Sequence, residues 1–228
     1  MNNTFLKGST LVFDLDGTLV DTAPDLIRTL NHILGEAGIP AAPDEKIRPF
    51  ISYGARRIIA EGLALVEEKS SEDRLDTLFE KFLDHYGNNV AVDSAPYPNL
   101  IDMLNEASNA GATLGVCTNK RESLSRTLLR ELGMHDHFKA ILGRDTLDVF
   151  KPDPRHLTET ILRCGGNETS AIMIGDSSTD VNTAKAAGIP VVAVTFGYSE
   201  HPAHTLGADA VIDDYSELMA ILPELLNR

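Results

Sequence analysis

The chain has 228 residues, 43% of them hydrophobic, enough for a sizeable core in one large domain or in a core that carries a smaller insert. Twenty basic residues against thirty-four acidic ones give a formal charge of -14, which excludes nucleic-acid or anionic-membrane binding by bulk electrostatics. A phosphorylated ligand would also be repelled at long range, so a site for one needs local cations. The first predicted element is a strand over Thr10–Leu15, an apolar run that ends in Asp14 and Asp16. Residues two apart on a strand leave toward the same region. Two acids that close repel unless a cation separates them or one holds a proton. The pattern suits a Mg²⁺ ion plus a carboxylate nucleophile beside a carboxylic acid, and Gly17 lets the backbone turn sharply next to a bound group.

From Thr22 to Ala95 no convincing strand appears. Leu26, Ile27, Leu30, Ile33 and Leu34 mark one amphipathic helix, Ile58, Ile59, Ala60 and Leu63 a second, and Leu75, Leu78, Phe79, Phe82 and Leu83 a third. A Pro-rich segment, Ala95–Pro98, closes the interval. A strand over Thr113–Thr118 then leads into Thr118-Asn119-Lys120, where a hydroxyl and backbone amides can hold phosphate oxygens or cap the next helix. Lys120 reads as a solvated residue at the helix start. Leu124, Leu128, Leu129 and Leu132 form that helix's stripe before Gly133, and Lys139–Leu142 is the next strand. In Lys151-Pro152-Asp153-Pro154 the prolines stiffen the chain and hold Lys151 at a helix entry. A strand over Ala171–Gly175 ends in Asp176, with Asp180 in the first turn of the helix that follows. Strands over Val191–Thr195 and Ala210–Ile212 and a closing helix over Tyr215–Arg228 complete the chain. Alternating strands and helices predict an α/β fold, a doubly wound parallel sheet with a Rossmann-like core. The strand-free interval predicts an inserted helical unit, residues 22–95, between core segments 1–21 and 96–228.

Asp14-Leu15-Asp16-Gly17-Thr18 resembles the first motif of the haloacid dehalogenase-like phosphohydrolases, and the stretch on to Leu26 resembles the phosphoglycolate-hydrolysing branch of that superfamily. Thr118, Lys151 and Asp176 follow in the order of the remaining motifs, each at a predicted strand end or helix entry. The resemblance implies a phosphatase that acts through an aspartyl phosphate. Asp14 would be nucleophile and Asp16 the acid, then the base. Thr118 and Lys151 would neutralise the phosphoryl group. Mg²⁺ would be held by Asp14, the backbone carbonyl of Asp16 and Asp176, with Asp180 and Gly17 in support. Thr18 would orient Asp16 and, with Asn119, face the substrate. The helical insert would be a cap that closes over the site. The second acid argues against a dehalogenase or phosphonate hydrolase. A β-phosphoglucomutase and a pyrophosphatase share these motifs. A receiver-type signalling domain is about half this length, lacks the insert and carries its phosphorylated Asp on a later strand, where this chain has Thr118.

A small phosphorylated metabolite, first of all 2-phosphoglycolate, is the expected partner. Its carboxylate would need a cation from the cap. Gly54 precedes Arg56 and Arg57 at a predicted helix start, and Arg56 is the candidate, since a guanidinium can grip a carboxylate with two donors. No apolar run approaches the roughly 20 residues of a membrane span. Met1–Lys7 has no long apolar stretch, so no signal peptide is expected and a cytoplasmic location is. Cys117 and Cys164 lack metal-ligand spacing and are expected to be buried free thiols.

Overall fold

The computed structural model of the chain describes residues 6–227. Most of the segment inspected for a signal peptide, and Arg228 at the tip of the closing helix, lie outside the described residues. In chain order the elements are β1 (Thr10–Phe13), β2 (Val20–Asp21), α1 (Ala23–Glu36), α2 (Asp44–Ile47), α3 (Ala55–Leu65), α4 (Glu72–Gly87), β3 (Ala95–Pro96), α5 (Leu100–Asn109) and β4 (Thr113–Cys117). They continue as α6 (Glu122–Glu131), β5 (Ala140–Leu142), α7 (Pro154–Arg163), β6 (Ala171–Gly175), α8 (Ser178–Ala187), β7 (Val191–Val194), β8 (Ala210–Ile212) and α9 (Leu218–Leu226).

Six strands form one parallel sheet in the order β5-β4-β1-β6-β7-β8. Strand residues alternate between faces. Leu11 and Phe13 join a core with Leu104 of α5 and Leu218 of α9, while Val12 packs with Met173, Leu157 of α7 and Val181 of α8. Both faces are thus covered by helices, which is why the strands read as continuous apolar runs. The chain winds one way from β1 through β4 to β5 and the other way from β6 to β8. The order therefore reverses between β1 and β6, and the crevice beyond their carboxyl ends is where doubly wound sheets bind ligands.

Between β2 and β3 lie four helices. Helix α4 packs on α1 and α3, and Leu30, Ile33, Ile59, Leu63, Leu78 and Phe82 are buried. Ser71 caps α4 by accepting the Arg74 N–H. The ribbon β2–β3 is antiparallel, with Val20 opposite Pro96 and Asp21 opposite Ala95, so the chain leaves and re-enters at one place. Asp25, fully buried in α1, accepts backbone N–H bonds from Val92, Asp93 and Ser94 and the Ser94 hydroxyl, which pins the returning segment.

Several predicted boundaries move by one or two residues: β1 ends at Phe13, β4 at Cys117 and β7 at Val194, and β5 starts at Ala140. The helix α2 and a 3₁₀ segment over Arg48–Tyr53 were not foreseen, being too short to show a period. The closing helix is split into a 3₁₀ turn over Tyr215–Glu217 and then α9. Cys117 and Cys164 are buried and free.

Candidate active site

Three loops meet beyond the sheet at the reversal point. The first continues β1. Asp14 still pairs with the sheet, donating its N–H to the Ile174 carbonyl, and the backbone then tightens, with the N–H groups of Leu19 and Val20 both donating to the Leu15 carbonyl. Gly17 sits at φ +82°, and a Cβ there would lie 2.6 Å from Asp176 Oδ2 and 2.7 Å from the Tyr198 ring. Only glycine fits both the conformation and the space. The second loop carries Lys151, just ahead of α7, whose first residue is Pro154 and whose N-cap, Asp153, accepts the Arg155 N–H. The third follows β6. Asp180 accepts from both the backbone N–H and the hydroxyl of Ser177, which caps α8 and fixes the acid at the helix start.

These loops bring Asp14, Lys151, Asp176 and Asp180 together, all nearly inaccessible. Lys151 Nζ lies 2.8 Å from Asp14 Oδ1 and 2.6 Å from Asp180 Oδ1. Burial works against its charge, yet the two carboxylates outweigh that and raise its pKa. Carboxylate oxygens of Asp14, Asp176 and Asp180 fall within 4.8 Å of one another. Burial, with Asp180 and Asp16 nearby and Lys151 in opposition, pushes Asp14 up to about 6. Burial and then the charges of Asp180 and Asp14 push Asp176 up to about 8. An all-oxygen, carboxylate-rich set suits a hard divalent cation, which would offset the repulsion that raises these acids. Asp176 also accepts the Tyr198 N–H at 2.7 Å and the Ser52 hydroxyl at 3.2 Å.

Some expected residues stand elsewhere. Asp180, expected only in support, lies within this cluster, whereas Asp16 was expected to offer its backbone carbonyl and its carboxyl lies outside. Asp16 is instead held by Lys120, whose Nζ is 2.9 and 3.3 Å from its two oxygens. Lys120 is not solvated: it is 8% exposed, because Tyr86 of α4 covers it with a hydroxyl 2.8 Å from Nζ and a ring centroid at 4.4 Å. The hydroxyl of Thr18 donates to Asp176 Oδ1 at 3.3 Å rather than to Asp16, since the tight turn at Gly17 directs it toward the β6 loop. Thr118 is buried and accepts the Lys120 N–H at 3.2 Å, so it shapes the start of that loop. Asn119 donates to the Lys151 carbonyl at 3.1 Å, tying the second loop in place, while its Oδ1 has no hydrogen-bond partner among the described residues and the residue lines the cavity. Arg56 is paired with Glu72 at 2.5 Å and with Asp76, because the start of α4 sets both acids beside it.

Tyr86, Ser52 and Tyr198 were missed. Tyr86 prolongs the stripe of Leu75, Leu78 and Phe82 and so read as core, and Ser52 lies in the unforeseen 3₁₀ segment. A cavity of about 740 Å³ runs outward from Asp16, Asn119 and Lys120 between the insert and the sheet. Its walls include Arg56 and Phe79 on one side and Arg121 and Arg144 on the other.

The sequence model of the haloacid dehalogenase-like hydrolases matches residues 11–194, from β1 to β7. A phosphoglycolate phosphatase from Mesorhizobium japonicum is 46% identical over 218 residues, 96% of each chain. Another from Caulobacter vibrioides is 41% identical over 213 residues, 93% of this chain and 90% of that one. The crystal structure of a predicted phosphoglycolate phosphatase from Haemophilus somnus superposes with a TM-score of 0.87 at 29% identity, covering 93% of this chain and 97% of that one. The matched stretch takes in all three loops and the helices between β2 and β3, and the chain belongs to the haloacid dehalogenase-like hydrolases.

Proposed function

We propose that the protein is a Mg²⁺-dependent phosphatase that hydrolyses 2-phosphoglycolate through an aspartyl phosphate on Asp14. The observation that carries this reading is the buried lysine shared between Asp14 and Asp180, beside a second acid, Asp16, that answers to a different lysine. One carboxylate is thereby kept among groups that stabilise an anion, and the other is kept apart for proton transfer. Relatives named phosphoglycolate phosphatase at 46% and 41% identity support the choice of substrate. Residues 1–21 and 96–228 act as the catalytic core and 22–95 as a cap, and the buried free thiols fit a cytoplasmic setting.

In this mechanism an Asp14 carboxylate oxygen attacks phosphorus as the ester P–O bond breaks. Asp16 gives its proton to the departing alkoxide. Water then attacks the phosphorus of the aspartyl phosphate, Asp16 takes the water's proton, and Asp14 and inorganic phosphate are released. Lys151 places positive charge beside Asp14 throughout. Asp14 and Asp176, with Asp180 in support, would hold Mg²⁺, which supplies further charge against the transferring oxygens. The backbone carbonyl of Asp16 completes the proposed ligand set.

The substrate's carboxylate is better matched by Arg144 than by Arg56. Both line the cavity, but Arg56 is engaged by two acids, whereas among the described residues no ion pair holds Arg144. The Arg144 guanidinium lies 3.7 Å from the Phe150 ring centroid, and burial lowers its pKa with no carboxylate to counter it. The test is released phosphate across 2-phosphoglycolate, a hexose phosphate, pyrophosphate and other small esters, with and without Mg²⁺. The highest kcat/KM is expected for 2-phosphoglycolate. A clear preference for pyrophosphate or the hexose phosphate would move the enzyme to one of the other activities of the family. One stable phosphoryl group without turnover would make it a switch.

A further inference from the structure

Lys120 is the second buried lysine of the cleft, and the chemistry on Asp14 does not use it. An ammonium has three N–H donors. In Lys120 they hold both oxygens of Asp16, at 2.9 and 3.3 Å, and the Tyr86 oxygen at 2.8 Å. Its contacts run to this acid and to α4, not to the carboxylates around Lys151. What the lysine does control is geometry. The χ2 torsion of an aspartate is soft and roughly two-fold, and a cation set across both oxygens removes that freedom. Tyr86 in turn fixes the lysine from two directions, hydroxyl and ring face. Tyr86 belongs to α4, between β2 and β3, whereas Asp16 and Lys120 lie on loops of the sheet. All three are buried.

We propose that Lys120 and Tyr86 are positioning residues that align the Asp16 carboxyl with the leaving-group oxygen, and that Tyr86 makes this alignment depend on α4 resting against the core. The inference rests on the acid–base role given above to Asp16. Seating of the cap would then bring the acid into line, so that proton donation is available only once the site is covered and bulk water is excluded.

The experiment uses leaving groups of different need. An alkyl ester such as 2-phosphoglycolate needs a proton on its departing oxygen, and p-nitrophenyl phosphate does not. kcat/KM reports the steps up to formation of the aspartyl phosphate. Tyr86→Phe removes one oxygen and keeps the ring packed in the cap. It should lower kcat/KM about tenfold for 2-phosphoglycolate and less than about twofold for the aryl ester. Lys120→Met should follow the same pattern with a larger loss, and Lys120→Arg should restore part of it. A structural defect would lower both esters alike, and a binding defect would appear in KM alone. Either result for Tyr86→Phe overturns the proposal. Asp16→Asn on the same pair separates the two levels. If it too ignores the leaving group, the role of Asp16 is wrong. If it discriminates and Tyr86→Phe does not, only the positioning role falls. A wild-type enzyme that cleaves the aryl ester alone would overturn both.

Discussion

On the core side of the cleft, Asp14, Lys151, Asp176 and Asp180 are almost inaccessible, with Lys151 shared between Asp14 and Asp180, whereas on the facing wall Arg56 and Arg57 sit a third or more exposed in ion pairs with Glu72 and Glu61. The first set is poorly screened and mutually dependent, so removal of its one cation strands two acids. The second is bathed in solvent and screened by it, so either pair can be exchanged with little effect. The contrast teaches that charge in this cleft is held in two ways, locked by burial on the core side and loosely paired in solvent on the facing wall.

The sharpest way to break the comparison is at its most buried end. Asp14→Asn should abolish phosphate release while leaving the melting temperature unchanged or higher, since one carboxylate is gone from a crowded group. Residual turnover above a few per cent, with deamidation excluded by mass spectrometry, would remove Asp14 as nucleophile. Lys151→Met comes next. It leaves Asp14 and Asp180 buried without a cation, and a loss of about 3–5 kcal/mol in urea unfolding should accompany a fall in kcat of roughly 10²–10³.

The metal sharpens the same point. Asp14 and Asp176 stand above their ordinary 3.8, at about 6 and about 8. An acid raised in the folded state favours folding below its unfolded value and withdraws that support as pH rises through the folded one. Without metal, these two groups should therefore erode stability between about pH 4 and pH 8. Mg²⁺ binds the ionised form, so it should raise the melting temperature more at pH 8 than at pH 5, and EDTA should abolish turnover at both. An equal rise at the two pH values would show that the cation binds elsewhere. The smallest effects belong to the facing wall. Arg144→Ala should lower kcat/KM about tenfold for 2-phosphoglycolate and much less for an uncharged aryl phosphate. Arg56→Ala should change either by less than about threefold and leave the melting temperature essentially where it was. The reverse ranking would return the carboxylate to Arg56.

How far the sequence could be read follows from the same division. Strands covered on both faces are apolar throughout, and an acid at the end of such a run, as at Asp14 and Asp176, has few structural excuses. Lys151 was marked by the prolines around it. Lys120 was not, because its burial is made by Tyr86, thirty-four residues earlier in the chain, and no local pattern records that contact. Thr18 and Asn119 were found as residues of the site, but their bonds run to Asp176 and to the Lys151 carbonyl. Spacing tells which loop a side chain is on, and only the packing of three loops tells which neighbour it meets. Arg56 was a choice between two adjacent arginines, and its pairing with Glu72 and Asp76, from another helix, leaves no mark in the local sequence.

The place of β1 in the sheet also bears on how the molecule is made. This strand is synthesised first, yet both its neighbours, β4 and β6, come from the second half or close to it. Helices α1–α4 lie close in sequence and contact one another, so they can fold while β1 still waits for partners. Asp14 is thus among the first groups to leave the ribosome, and Lys151, Asp176 and Asp180 are among the later ones. A nascent or prematurely ended chain holds a solvated aspartate with ordinary chemistry. On the proposed mechanism, turnover must wait for the arrival of β6 and the loop behind it.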